Sequence, residues 1–190
     1  MLLPWAQQPL VIDTALDRLR LYRECQRHLK SVPDAEKQAL LPQVFKSLAV
    51  DPSELQLERQ VMTWDEMRAT RDVTTYGGHL HSHPLVSRID NDQLDAELRI
   101  SQHRMAAELG ARPTLFAYPD GDITAAAKAT VRRHGYDMAF GIREGLVTPQ
   151  TDWLAIHRLP GQATVADLAW RITRLHRRMP RARVPAVLPV

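Results

Sequence analysis

The chain has 190 residues, with 25 basic against 22 acidic side chains and a single cysteine. That length suits one domain able to bury a core without staples, and a lone Cys25 excludes a disulfide framework and a cysteine-based zinc knuckle. No apolar run reaches the roughly 18 residues of a membrane span, and the opening MLLPWAQQPLVID lacks the early positive charge of a secretory leader. No membrane span is therefore expected, and a cytoplasmic location is the default expectation.

The elements follow in chain order. Residues 1–62 read as a helical N-terminal segment. Leu16, Leu19, Leu21, Tyr22, Cys25 and Leu29 recur at helical spacing, Pro33 punctuates, and Leu40, Leu41, Val44, Phe45 and Leu48 give a second stripe. Thr63-Trp64-Asp65-Glu66 fits a capping box that opens a third helix. Val73-Thr74-Thr75-Tyr76 carries a strand signal ending at Gly77-Gly78. Residues 91–109 form an amphipathic helix, with Leu94, Leu98, Met105 and Leu109 inward and Gly110 as its stop. Strands are expected at 114–117, buried on both faces by its composition, at 136–140 and at 154–156, with helices at 123–134 and 164–178. Strand and helix alternation with short loops implies a parallel α/β layer.

The net charge of +3 is uneven, because residues 171–190 hold six arginines and no acid. A basic, Pro-rich tail over 179–190 can bind nucleic acid or stay solvated. Its arginines lack interleaved aromatics, so the solvated reading is preferred and nucleic acid is not an expected partner.

In parallel α/β folds the chemistry gathers at the carboxyl ends of the strands. Two motifs fall there. Gly77-Gly78-His79-Leu80-His81-Ser82-His83-Pro84 places three imidazoles in five residues. Pro84 pushes His83 out of the helical region, so any convergence of His79 and His83 on a metal must come from a turn. The alternative is a solvated His-rich loop. Tyr118-Pro119-Asp120-Gly121 follows the next strand, where backbone N–H groups could face a developing oxyanion. The alternative is a plain turn, with Asp122 or Thr124 capping the next helix.

Taken together and in order, Gly-x-His-x-x-x-His-Pro-Leu, Phe-Ala-Tyr-Pro-x-Gly-Asp and His-Gly-Tyr-x-x-Ala-Phe resemble the polysaccharide deacetylase family (NodB-like carbohydrate esterases). Met62–Arg68, Gly145-Leu146-Val147 and Ile156–Pro160 are similar to flanking motifs, and the helical 13–48 region is similar to an insertion in one bacterial subgroup, so the resemblance covers roughly residues 5–175. It implies a distorted (β/α) barrel and a divalent metal, most often Zn²⁺. The implied activity is hydrolysis of N-acetyl groups on a polysaccharide or oligosaccharide. It carries the metal ligands onto His79 and His83. The oxyanion loop falls on Tyr118, Pro119, Asp120 and Gly121, with the Tyr118 backbone N–H as donor, and a catalytic histidine falls on His157. The family has Ser or Thr where this chain has Leu80, and its Thr-Phe-Asp-Asp motif supplies the base and a third ligand. No Asp-Asp pair occurs in this sequence.

The expected fold is thus α/β: an incomplete (β/α) barrel of deacetylase type over 63–178 behind the N-terminal helical segment. Metal binding is expected to be weak and catalysis impaired. The alternative is a non-catalytic remnant that binds carbohydrate or a partner. An open sheet edge would invite self-association.

Overall fold

The computed structural model describes residues 2–161 and 163–173. The expected tail at 179–190 and the end of the last helix lie outside the described residues.

Two helices, α1 (Ala15–Ser31) and α2 (Asp34–Ser47), form an N-terminal hairpin. Thr14 and Asp17 close a capping box at the start of α1, which satisfies two otherwise orphaned N–H groups. The hairpin packs lightly: α1 buries no residue completely and α2 only Val44. The N-terminal segment folds onto α1, where Trp5 stacks on His28 with ring centroids 4.1 Å apart. It offers the sheet little cover, since Val11 is 74% exposed. Helix α3 (Trp64–Thr70) has the expected Thr63–Glu66 capping box. Two 2.7 Å hydrogen bonds from Arg59 and those from Thr63 hold the Glu66 carboxyl down at about 2.

Helix α4 (Asn91–Leu109) ends, as expected, at Gly110 in the left-handed conformation. Strand β1 (Leu115–Ala117), helix α5 (Ala125–Arg133), strand β2 (Met138–Phe140) and helix α6 (Val165–Ile172) follow. The two strands pair in parallel, with Phe116 opposite Ala139. Single parallel bridges extend the sheet on either side, Gly78 to Phe116 and Phe140 to Ile156. The 154–156 segment therefore contributes a bridge rather than a full strand.

The strand expected at Val73–Tyr76 does not form. Val73 lies in the turn that closes α3, donating to the Thr70 carbonyl, and the Tyr76 hydroxyl meets Thr70 Oγ1 at 2.5 Å. Pairing begins only at Gly78, whose N–H reaches the Leu115 carbonyl at 2.7 Å. Glycine is required for that approach. A Cβ at Gly77 would lie 2.9 Å from the Leu115 oxygen, and one at Gly78 would lie 2.4 Å from the Tyr136 hydroxyl.

The core gathers on one face of this sheet. Phe116 and Ala139 pack in one cluster with Leu94 and Leu98 of α4 and Ala127 and Val131 of α5. Leu115, Ala117, Met138 and Phe140 point the other way and remain half-buried. The apolar composition of β1 suggested burial on both faces. Instead one face is covered by helices and the other is partly open, because the sheet does not close on itself. The architecture is mixed α/β with an unclosed parallel sheet and N-terminal helices, as expected.

Beneath Gly78 the buried Tyr136 hydroxyl makes no well-formed hydrogen bond among the described residues, the Gln102 side chain giving it only a weak interaction, and burial pushes its phenol up to about 12. An unsatisfied buried hydroxyl costs about 1–3 kcal/mol. Tyr136→Phe is therefore expected to leave stability unchanged or raise it by up to about 1 kcal/mol. Gly78→Ala should lower stability by about 1–3 kcal/mol through overpacking, and Tyr136→Phe should recover part of that loss. Urea denaturation of the single and double variants reads both. A Tyr136→Phe variant that loses more than about 1 kcal/mol would mean that the hydroxyl has a partner.

Candidate functional site

Because the sheet is parallel, the carboxyl ends of its ribbons lie along one rim. The histidine loop leaves the sheet directly after Gly78. Two of its non-glycine residues adopt positive φ, Leu80 at 65° and His83 at 61°. This is a conformation that ordinarily costs energy and persists where surroundings enforce it. Leu80 is buried in the core cluster while His79 and His83 remain exposed at the rim.

His79 Nδ1 lies 2.6 Å from the Ala117 carbonyl oxygen. A carbonyl only accepts, so Nδ1 carries a proton, and of the two neutral tautomers this one leaves the Nε2 lone pair for metal ligation. The His79 and His83 rings stand edge to face, with centroids 4.7 Å apart. The turn does bring the two together. His81 stays exposed and is held by its backbone N–H, which donates to Glu97 Oε2 at 2.7 Å. The same carboxylate accepts from the Ser82 N–H at 2.8 Å and from Ser82 Oγ at 2.7 Å. Glu97 thus clamps the loop from α4, a role that sequence reasoning missed. Its signal is only a carboxylate beside the inward Leu94 and Leu98.

The second rim turn corrects one expectation. The Tyr118 N–H donates to the Phe140 carbonyl at 3.0 Å, and its buried hydroxyl donates to the Leu154 carbonyl at 3.0 Å. Its backbone N–H is committed to the sheet and does not serve as an oxyanion donor. Pro119 has no N–H, and the Gly121 N–H closes the turn onto the Tyr118 carbonyl at 2.9 Å. That leaves the N–H of Asp120, at φ 52°, as the turn's uncommitted donor among the described residues. The Asp120 carboxylate meets Lys30 Nζ, from the end of α1, at 2.6 Å. Asp122 does not cap α5. It accepts the Ser87 N–H at 2.7 Å and so ties this turn to the histidine loop, while Thr124 provides the cap.

His83 and Asp120 line a cleft of about 320 Å³ between the rim and the helical hairpin, together with Lys30, Lys37 and Arg88. His157 lines a different cleft of about 490 Å³ with Arg143, Thr148 and Asp152. Its ring packs against Gly145, where a Cβ would lie 2.3 Å from Nδ1. The structure does not bring His157 together with the histidine pair.

Among the described residues, no group of three His, Cys, Asp or Glu side chains is placed to hold a metal ion. Catalytic zinc ordinarily takes three protein ligands. The two imidazoles, which no described carboxylate joins in a group of three, do not fit a resident catalytic metal on their own.

The polysaccharide deacetylase family model matches residues 54–139, which hold the histidine loop, α4, the Tyr118–Gly121 turn and most of β2. Over that stretch, a little under half of its length, the chain is similar to the polysaccharide deacetylase family. The match is narrower than the 5–175 read from motifs, and it leaves out the α1–α2 hairpin and the Gly145–Pro160 segment. Two solved deacetylases share the fold. A polysaccharide deacetylase from Bacillus cereus is 19% identical, with a TM-score of 0.54, over 62% of this chain and 38% of its own. The Streptococcus pyogenes deacetylase PplD in complex with acetate is 20% identical, with a TM-score of 0.50, over 52% of this chain and 44% of its own. The chain therefore spans less than half the length of either structure. No curated protein sequence matches it. No helix among the described residues is long and apolar enough to cross a membrane.

Proposed function

We propose that this chain acts on, or is derived to bind, N-acetylated polysaccharide, with the 63–178 region carrying a hydrolase-type amide site and the 1–62 segment walling one side of it. In this reading His79 and His83 are metal ligands. The Asp120 N–H, rather than that of Tyr118, is the donor available to an acetyl oxygen. The observation that carries the reading is the histidine pair. Its rings sit 4.7 Å apart at the carboxyl rim, with the His79 tautomer fixed by the Ala117 carbonyl.

Among the described residues no third ligand joins the pair, and that favours binding over turnover. Zinc should bind weakly, because metal affinity rests on ligand count and type. The test is calorimetric titration with Zn²⁺ and, separately, with N,N′-diacetylchitobiose. Weak zinc binding that disappears in His79→Ala is the expected result, together with measurable binding of the disaccharide. Zinc binding unaffected by His79→Ala would overturn the ligand assignment. A disaccharide that does not bind would overturn the glycan reading.

A further inference from the structure

The cleft beside His83 is built as much from the helical hairpin as from the histidine loop. Lys30 closes α1 and Lys37 lies in the first turns of α2, while Arg88 sits on the short turn after the loop. Two of these cations are already answered. Lys30 pairs with Asp120 at 2.6 Å, and Lys37 pairs with Asp34 within α2. Arg88 has no carboxylate partner among the described residues. The cleft therefore holds three cations against two carboxylates, one positive charge in excess.

The Arg88 side chain is exposed, but its backbone is anchored. Its backbone N–H bonds the Leu85 carbonyl at 3.0 Å, and the preceding Ser87 N–H is held by Asp122. Pro84 and Val86 beside it are buried. The guanidinium thus springs from an anchored backbone into the cleft that His83 shares. A guanidinium presents parallel N–H donors that match a carboxylate in a two-pronged bond. A single excess charge balances a monoanion, and falls short of a phosphate dianion.

We propose that this cleft receives a carboxylate borne by the glycan, a uronic acid next to the N-acetylated sugar, and that Arg88 reads it. The proposal rests on the glycan reading above and names the substrate class within it. The N-terminal hairpin then contributes to specificity, because without Lys30 to neutralise Asp120 the cleft would carry no excess positive charge.

The experiment compares three probes by calorimetry on the full chain: a glucuronate–N-acetylglucosamine disaccharide, N,N′-diacetylchitobiose and inorganic phosphate. The uronate disaccharide should bind about fivefold tighter than the neutral one at low salt, the scale of one partly exposed charge-assisted pair. That advantage should shrink as salt is raised. It should vanish in Arg88→Gln, survive in part in Arg88→Lys, and persist in Arg143→Gln, which alters the other cleft. Equal affinity for the two disaccharides, or a preference that survives Arg88→Gln, overturns the assignment and leaves the glycan reading intact. Phosphate binding tighter than the uronate disaccharide also overturns it. Failure of both disaccharides removes the glycan reading itself.

Discussion

Phe116→Ala is expected to remove about 3–5 kcal/mol of stability, the usual cost of emptying a buried aromatic site. Phe116 is 1% exposed and central to the sheet, bridged to Gly78 on one side and registered with Ala139 on the other. Its ring meets Tyr118 edge to face at 5.0 Å and Tyr136 at 5.1 Å. Domains ordinarily have only about 5–15 kcal/mol in all, so this one change should place the protein near its folding threshold. Leu115→Ala, one residue earlier on the half-open face, should cost much less, because its side chain already touches water. Urea denaturation of the two variants checks the contrast, and equal losses would show that both faces of the sheet are covered. The wild type, run at two protein concentrations, tests the open face further. Pairing through the half-buried Leu115, Ala117, Met138 and Phe140, or through the sheet's edge, would raise the midpoint with concentration. A midpoint independent of concentration would argue against self-association.

The helices and their caps were legible because their signals are local. Thr14 is followed by an acid three residues on, and so is Thr63, while Gly110 and Thr124 stand where helix ends want them. Strand pairing was less legible. Val73-Thr74-Thr75-Tyr76 has the right side chains for a strand, yet the sheet takes up Gly78, because only a residue without Cβ can lie against Leu115 and Tyr136. That constraint comes from residues about 40 to 60 positions away, which a propensity cannot contain. At the site, the His-x-x-x-His-Pro spacing anticipated that the two imidazoles would meet from a turn. The positive φ values of Leu80 and His83 were not foreseeable, since neither is glycine. Nor was the Tyr118 N–H's commitment to the Phe140 carbonyl, which is a consequence of sheet register. Glu97 and Lys30 were invisible for the same reason: each acts on a loop far away in sequence.

Acetate release from acetylated chito-oligosaccharides by this chain is expected to be negligible. A general base contributes about 10²–10⁴ in rate, and no carboxylate joins His79 and His83 in a group of three among the described residues. The acidic candidate that shares a cleft with His83 is Asp120, and its carboxylate is engaged by Lys30 at 2.6 Å. In that pair it is turned toward the hairpin, which leaves its backbone N–H rather than its side chain for the substrate. Assays with added Zn²⁺, with and without a chelator, read the outcome. Robust, chelator-sensitive release would overturn the expectation and point to Asp120 as the base. In that case Asp120→Asn should abolish activity, whereas Lys30→Met, by freeing the carboxylate, should raise it.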